Sequence, residues 1–500
     1  MSLLGLDLNA TRIGGVRGPL GDYPCIEPID PPRAELPLVL SLGGRMPVLG
    51  TAGLRWCRRS PHLVWQNFLP QLGEMAQGPR NGNPAGLEAT KALGFVFHHI
   101  LGSCRGADGV VLALPAYLSG PQVELVMTLA LQTGLPLLGS VCAPLAAALA
   151  AHAEQAWFGT VVLVDVDDHA LTLATVGSDQ EHAQLLDLRC LSQLNQRMWQ
   201  ERLLNALADC CIMDSRWDPR ESPDGEQSLF DQLDDVMDAV QQGRIIKLTV
   251  QAPGRFQNLV LQPRDPVAFC ANLRQQVVNE IQQIFNAPWP EGRPSTILVT
   301  AAAARLPGLV DTLQSAAEQW TPAVLPKKKK TASALEDFGS GLLDDEAGDG
   351  RAVVVLADGA TARGAHSVAG YFHRGDIASG HLHAAAPLPL PQPLEAGPAR
   401  LHFQGRDFLL GTRTFALGRQ TSADLVFDAE HWPRVSGRHC EIVYDHRMHM
   451  LCNRSREGTF VNDRPATQAM PLRAGDWIRL GPDGPTLRFL GQAVEMRTTA

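Results

Sequence analysis

The chain has 500 residues and ten cysteines, at positions 25, 57, 104, 142, 190, 210, 211, 270, 440 and 452, and no two of them form a C-x-x-C pair. That absence argues against both a zinc ribbon and a disulfide scaffold. Lysine is scarce too: there are six, four of them in the single run 327–330, against 37 arginines. The opening stretch MSLLGLDLNATRIGG has no basic segment ahead of its apolar residues, and Asp7 interrupts them, so it does not read as a signal peptide. The expectation is a cytoplasmic protein with reduced thiols. No apolar run reaches spanning length, because Gln132, Gly134, Pro136 and Pro144 break the apolar region 125–151 into short pieces, and a membrane span is rejected. At 45% hydrophobic and 19% charged, the composition excludes a disordered, collagenous or coiled-coil protein.

Length alone is a prior for about three domains. Charge divides the chain unevenly. Residues 399–500 hold 14 arginines and no lysine against 11 carboxylates, a net charge of +3, whereas residues 1–398 hold 29 basic against 41 acidic side chains, a net of −12. A mildly basic, arginine-only module on an acidic body suggests local anion recognition and not nucleic-acid binding by bulk charge.

Two biased stretches punctuate the sequence. Residues 326–350, PKKKKTASALEDFGSGLLDDEAGDG, place a basic run before an acidic, glycine-rich one and read as a solvated loop. Residues 373–398 carry five prolines from 387 onward and read as an extended, semi-rigid spacer, which sets a domain boundary. Before the spacer, apolar strands alternate with helical patterns. Strands are expected at 109–115 (GVVLALP) and 135–141, and helices at 119–133 and 143–153, the latter with Pro144 in its first turn. A hairpin is expected from 160–166 (TVVLVDV) and 170–176 (ALTLATV) around Asp167, Asp168 and His169. After the spacer, short alternating runs with frequent turn signals indicate an all-β sandwich.

Five segments in order make residues 1–372 resemble the ATPase domain of DnaK-type heat-shock chaperones, members of the actin-like ATPase superfamily. LGLDLNATRIGGV at 4–16 looks like the first phosphate hairpin, and the stretch 112–151 resembles the signature strand and its following helix. VVLVDVDDHA at 161–170 falls on the second phosphate hairpin, ILVTAAAARLP at 297–307 on the adenosine motif, and LADGATARGA at 356–365 on the last helix. The resemblance implies an α/β actin-like two-lobed ATPase fold, with Asp7, Thr11 and Asp165 as nucleotide- or magnesium-binding residues and ATP with magnesium as the cofactor.

Residue by residue, however, the family's phosphate site is altered. Glycines in both hairpins normally let backbone N–H groups approach the phosphates. Here Asn9 and Ala10 replace Gly and Thr in the first hairpin, and Asp167-Asp168-His169-Ala170 stand where the family has Gly-Gly-Gly-Thr. At ~4 Å and an effective dielectric of ~20, a carboxylate opposes each phosphate charge by about 4 kcal/mol. Ala143 stands at the family's water-organising Glu, Leu54 and Arg55 near its phosphate-contacting Lys, and Ala301-Ala302 at the adenosine Gly-Gly. Phosphoryl transfer needs the whole set positioned together, so the expectation is a pseudo-ATPase with no catalytic residues. No chaperone substrate domain or helical lid follows.

The C-terminal region, 399–497, resembles a forkhead-associated (FHA) domain. It contains Leu417-Gly418-Arg419, then Val435-Ser436-Gly437-Arg438-His439, then residues 453–462 (NRSREGTFVN), and closes with LRAGDWIRLG at 472–481. The family binds phosphothreonine peptides, which implies a threonine-phosphorylated protein as partner. Arg419 would supply a planar guanidinium fork and Ser436 a hydroxyl to the phosphate, with Arg456 as a second cation. His439 is expected to brace the loops and Gly458 to serve the turn. Glu457 replaces the family's Asn beside the peptide, and Gly437 lacks a side chain that often contacts it.

The histidines of HRMH at 446–449, His98-His99 and Cys210-Cys211 have no second pair at ligand spacing, and no metal site is expected. Two functional readings follow. One is a non-catalytic adaptor that binds phosphothreonine proteins through its FHA domain. The other is an ATP-binding, DnaK-like switch, an ATP hydrolase if active, whose nucleotide state regulates that binding.

Overall fold

The computed structural model describes residues 1–490 apart from 21–22, 32, 45, 75–86, 180, 290–291, 321–351, 383–385, 392–398, 446–447 and 467–468. The Lys327–Lys330 run, the acidic stretch after it, His446 and residues 491–497 lie outside the described residues.

A strand covered on both faces has no reason to alternate apolar with polar residues. Strand Gly109–Leu114 is buried at every position. It lies parallel to Ser2–Leu8 on one side and Leu137–Cys142 on the other. Ser2–Leu8 folds back antiparallel onto Arg12–Pro19, which pairs with Cys25–Glu27. The second sheet repeats this arrangement. Gly159–Val166, Leu171–Ser178 and His182–Leu191 form successive antiparallel pairs, and Thr296–Val299 and Ala352–Val355 extend the other edge in parallel. Each sheet therefore runs third, second, first, fourth, fifth strand across its core.

Helix Gly120–Gln132 starts at Ser119, whose side chain and that of Gln122 form a capping box. Helices Ala143–Glu154 and Ala360–Arg374 pack on each other and share one core with both sheets, including Leu3, Val111, Val161 and Leu298. From Ala143 to Ala153 every residue of the first of these helices is buried. All-round burial explains an alanine-leucine composition that would otherwise suggest lipid. No helix among the described residues is long and apolar enough to cross a membrane. All ten cysteines are free thiols.

The stretch 373–398, expected to be an extended spacer, instead begins inside a helix and is tied to both sheets. The preceding helix continues to Arg374. Gly380–His381 then pairs in parallel with the edge strand of the first sheet, and Leu388–Pro389 pairs antiparallel with the edge strand of the second. Short edge strands tolerate proline because its missing N–H need not face a neighbour. The segment thus straps the outer edges of the two sheets.

Beyond it, a six-stranded and a five-stranded sheet pack as a sandwich around Leu417, Ile442, Leu451, Ile478, Leu480 and Phe489. This sandwich is docked on the N-terminal region. Trp477 packs with Val16, Ile26, Ala34 and Ala362. The Val461–Arg464 turn, with Asn462 and Asp463 both at positive φ, reaches across. Asn462 Nδ2 and Arg464 Nη2 contact the Asp358 carboxylate at 3.1 and 3.0 Å, and Ala34 N donates to Asp463 Oδ2 at 2.7 Å. Ile26 N donates to Gly475 O at 3.2 Å, and Arg488 pairs with Glu27 at 3.1 Å. Burial pushes the Asp358 carboxyl up, but the cation of Arg464 and the Asn462 amide outweigh it and hold the group below the ordinary carboxylate range.

Candidate functional site

Phosphate recognition on a sandwich requires loops held rigidly at one end. Strand Phe415–Gly418 delivers Arg419, and two backbone bonds tie this loop to the next: Arg419 N to Ser436 O at 3.1 Å and Gln420 N to Gly437 O at 2.9 Å. The approach is so close that a Cβ on Gly418 would lie 2.1 Å from Gly437 O. His439, fully buried, accepts from Ser436 N on Nδ1 at 3.0 Å and donates from Nε2 to Gly458 O at 2.9 Å. The imidazole therefore braces the second and third loops in its neutral form. Burial holds its pKa below the ordinary value. Gly458 has φ +80°, as its turn requires.

These braces bring Arg419, Ser436 and Gly437 together with the 454–458 loop. Ser436 Oγ lies 2.7 Å from Ser455 Oγ, and Ser455 Oγ accepts from Glu457 N at 3.1 Å. Arg419, Arg456 and Glu457 are exposed, and neither arginine has an ion pair among the described residues. Ser455 escaped the sequence reading, which assigned roles to its neighbours 456 and 457. Its contact with Ser436 spans 19 residues, and no spacing rule reports it.

A second constellation joins the two N-terminal hairpins. Asp7 and Asp165 lie near the ends of equivalent strands and repel each other, while Thr11, in the first turn, meets the second turn at Asp168. Yet every backbone N–H from Asn9 to Arg12 and from Asp167 to Ala170 is already bonded within the chain. Asn9 Oδ1 accepts from the backbone N–H of Thr11 and Arg12, both at 3.0 Å. Asp167 Oδ2 accepts from Ala10 N at 3.0 Å and from the Tyr117 hydroxyl at 2.6 Å, while its Oδ1 accepts from His169 N at 2.8 Å and Ala170 N at 2.9 Å. Asp168 N donates to Thr11 Oγ1 at 2.8 Å. Six backbone N–H groups that could face a phosphate are thus taken by the chain's own side chains.

The carboxylates of the site likewise have a cation from within the chain. Arg12 lies 3.9 Å from Asp7 and 2.6 Å from Glu35, and its charge also acts on Asp165. Burial drives the Asp7 carboxyl up to about 7, against the pull of Arg12 and with added repulsion from Asp165. Burial likewise raises Asp168 to about 7, with Arg197 opposing. Asp165 is raised by burial even though the Thr300 hydroxyl donates to it at 2.7 Å. These residues do not fit a magnesium-nucleotide complex, because its donors and its cation are already supplied from within. Beside the turns lies a polar cavity of about 520 Å³ whose lining includes Arg58, Asn67, Asp168, Arg197 and Phe230.

Residues 415–481 match the model of the FHA domain. The match spans the loop that begins at Arg419, the histidine-braced loop and the 454–458 loop described above. FHA domains bind phosphothreonine-containing proteins, which is an adaptor's role. No curated protein matches the chain.

Proposed function

We propose that this chain is a non-catalytic adaptor that binds threonine-phosphorylated proteins through Arg419, Ser436, Gly437, Arg456 and Glu457, with Ser455 added to the set. The observation that carries this reading is the joining of the Arg419 loop, through Arg419 N on Ser436 O, to the Ser436/Ser455 hydroxyl pair braced by a buried histidine, with the Arg419 side chain exposed and without an ion pair among the described residues. A phosphate dianion takes such charge-assisted donors at about twice the strength of neutral ones. Calorimetric titration with phosphothreonine peptides tests the reading. Arg419→Ala should weaken binding about 10- to 100-fold, the range expected for losing a hydrogen bond to a charged group. Equal affinity for phosphorylated and unphosphorylated peptides would refute it.

In this reading residues 1–372 are a degenerate, DnaK-like actin-type domain. Support comes from two sheets with the same strand order flanking a shared pair of helices. The six consumed hairpin donors favour a pseudo-ATPase. A second reading, an ATP-dependent switch, draws on Asp7 and Asp165, on the Thr11 contact with the second turn and on the cavity beside Asp168. Millimolar ATP with magnesium separates the two: a binder must melt at a higher temperature when the ligand is present, and the adaptor reading expects no shift.

A further inference from the structure

We propose that the FHA region carries a second anion subsite, made of Arg438 and Arg454 mounted on Glu441, which takes a further carboxylate or phosphate of the same phosphothreonine ligand. This inference rests on the reading above and specifies the ligand class. Glu441 lies on strand Cys440–Asp445 with its side chain only 6% exposed. A carboxylate so buried must be paired. It has two partners: Arg454 places Nε and Nη2 on Oε2 at 3.1 and 3.0 Å, and Arg438 places Nη2 on Oε1.

Two guanidiniums share one carboxylate, so a positive charge is left over. Both cations face water, at 61% and 55% exposure. Each guanidinium has five donors in a fixed plane, and the bonds to Glu441 occupy one edge only. Two exposed arginines would ordinarily repel and move independently; the buried Glu441 holds them at one place and prepays that ordering. A single arginine would suffice to neutralise Glu441, which is why the second points to an external anion.

The location fits the same ligand. Arg438 follows Ser436 by two residues, Arg454 precedes Ser455, and Arg454 N donates to His439 O at 2.8 Å. The subsite therefore borders the phosphate loops. At roughly 3.3 Å per extended residue, four flanking positions of a bound peptide sweep about 13 Å from the phosphothreonine, which sets the range of positions the test covers.

The test titrates the full chain with three sets of phosphothreonine peptides: neutral flanks, one glutamate at successive flanking positions, and one phosphoserine at the same positions. Removing both arginines alone would strand Glu441, so the variant is Arg438→Gln/Glu441→Gln/Arg454→Gln, with the single Arg438→Gln as a milder control. We expect an acidic flank at one or two positions to tighten binding to the native chain about three- to tenfold, an advantage that shrinks with salt. The triple variant should lose this advantage and keep its affinity for the neutral peptide. The phosphoserine and glutamate arms tell which anion the subsite takes. Equal affinity for all three sets, or an advantage that survives in the triple variant, overturns the subsite alone. Failure of every phosphopeptide to bind removes the phosphothreonine reading and the subsite with it.

Discussion

Asp167 is 5% exposed, yet each of its carboxylate oxygens receives two hydrogen bonds. A carboxylate has about four acceptor sites, and here all are used. Asp167→Ala should therefore leave three backbone N–H groups unpaired, those of Ala10 and Ala170 buried and that of His169 partly so, at about 1–3 kcal/mol for each buried unsatisfied group. Urea denaturation should show a loss of several kcal/mol, and inorganic phosphate should raise the melting temperature of the variant but not of the native chain. A variant of native stability would show that the turns do not depend on Asp167. Asp168 gives a pH-dependent prediction. Its pKa, about 7 against an ordinary 3.8, means the folded chain prefers the protonated acid. Stability therefore falls as pH rises from about 4 through 7. Asp168→Asn should melt higher than the native chain at pH 8, and the difference should disappear by pH 4. Arg419, Ser436 and the two turn aspartates are placed in loops by their fixed spacing in the sequence, and the structure has them in loops. The saturation of Asp167 was not legible there, since it depends on Tyr117 and Ala10 arriving from distant segments. The sequence reading expected electrostatic repulsion of a phosphate at this point; the structure adds direct occupation of its donors.

Elements were legible where their burial is uniform. GVVLALP and TVVLVDV read as strands because strands covered on both faces become continuous apolar runs. The helix Ala143–Glu154 was separated from a membrane span by its length and by Pro144. The edge strands Gly380–His381 and Leu388–Pro389 left no such trace, because a two-residue pairing carries no periodicity. Leu388 nonetheless sits in the core shared by both sheets, 1% exposed. Leu388→Ala should cost about 2–5 kcal/mol in chemical denaturation, as large-to-small changes in a packed core do. An effect near zero would mean that the strap contributes little to holding the sheets.

For the whole molecule, the sequence reading placed a semi-rigid spacer and a domain boundary between two units and was silent on contact between them; the structure seats the sandwich on the N-terminal region through Trp477, Asp358 and the Asn462-Asp463 turn. The proline-rich composition hid this. The docking residues are scattered over positions 16–34, 355–363 and 462–488 and share no local pattern. Asp358→Ala should release the Arg464 side chain and remove one of the bonds of Asn462, which Asp476 and Trp477 still hold, and so loosen the contact. Hydrogen exchange at Ile26, whose amide donates to Gly475 O, should accelerate in that variant while exchange in the sandwich core stays slow. Unchanged exchange at Ile26 would show that Trp477 packing holds the contact by itself.

The docked turn and the 454–458 loop lie at opposite ends of strand Thr459–Val461: the loop precedes it and Asn462-Asp463 follows it. On the proposed reading, capture of a phosphothreonine at that loop would not require the sandwich to leave its seat. A partner held by a swinging module samples every bearing its leash allows. One held here would be aimed along a single direction, at a set distance from anything else that contacts the body. The molecule would then act on its partner as a jig does on a workpiece, fixing its angle as well as its presence.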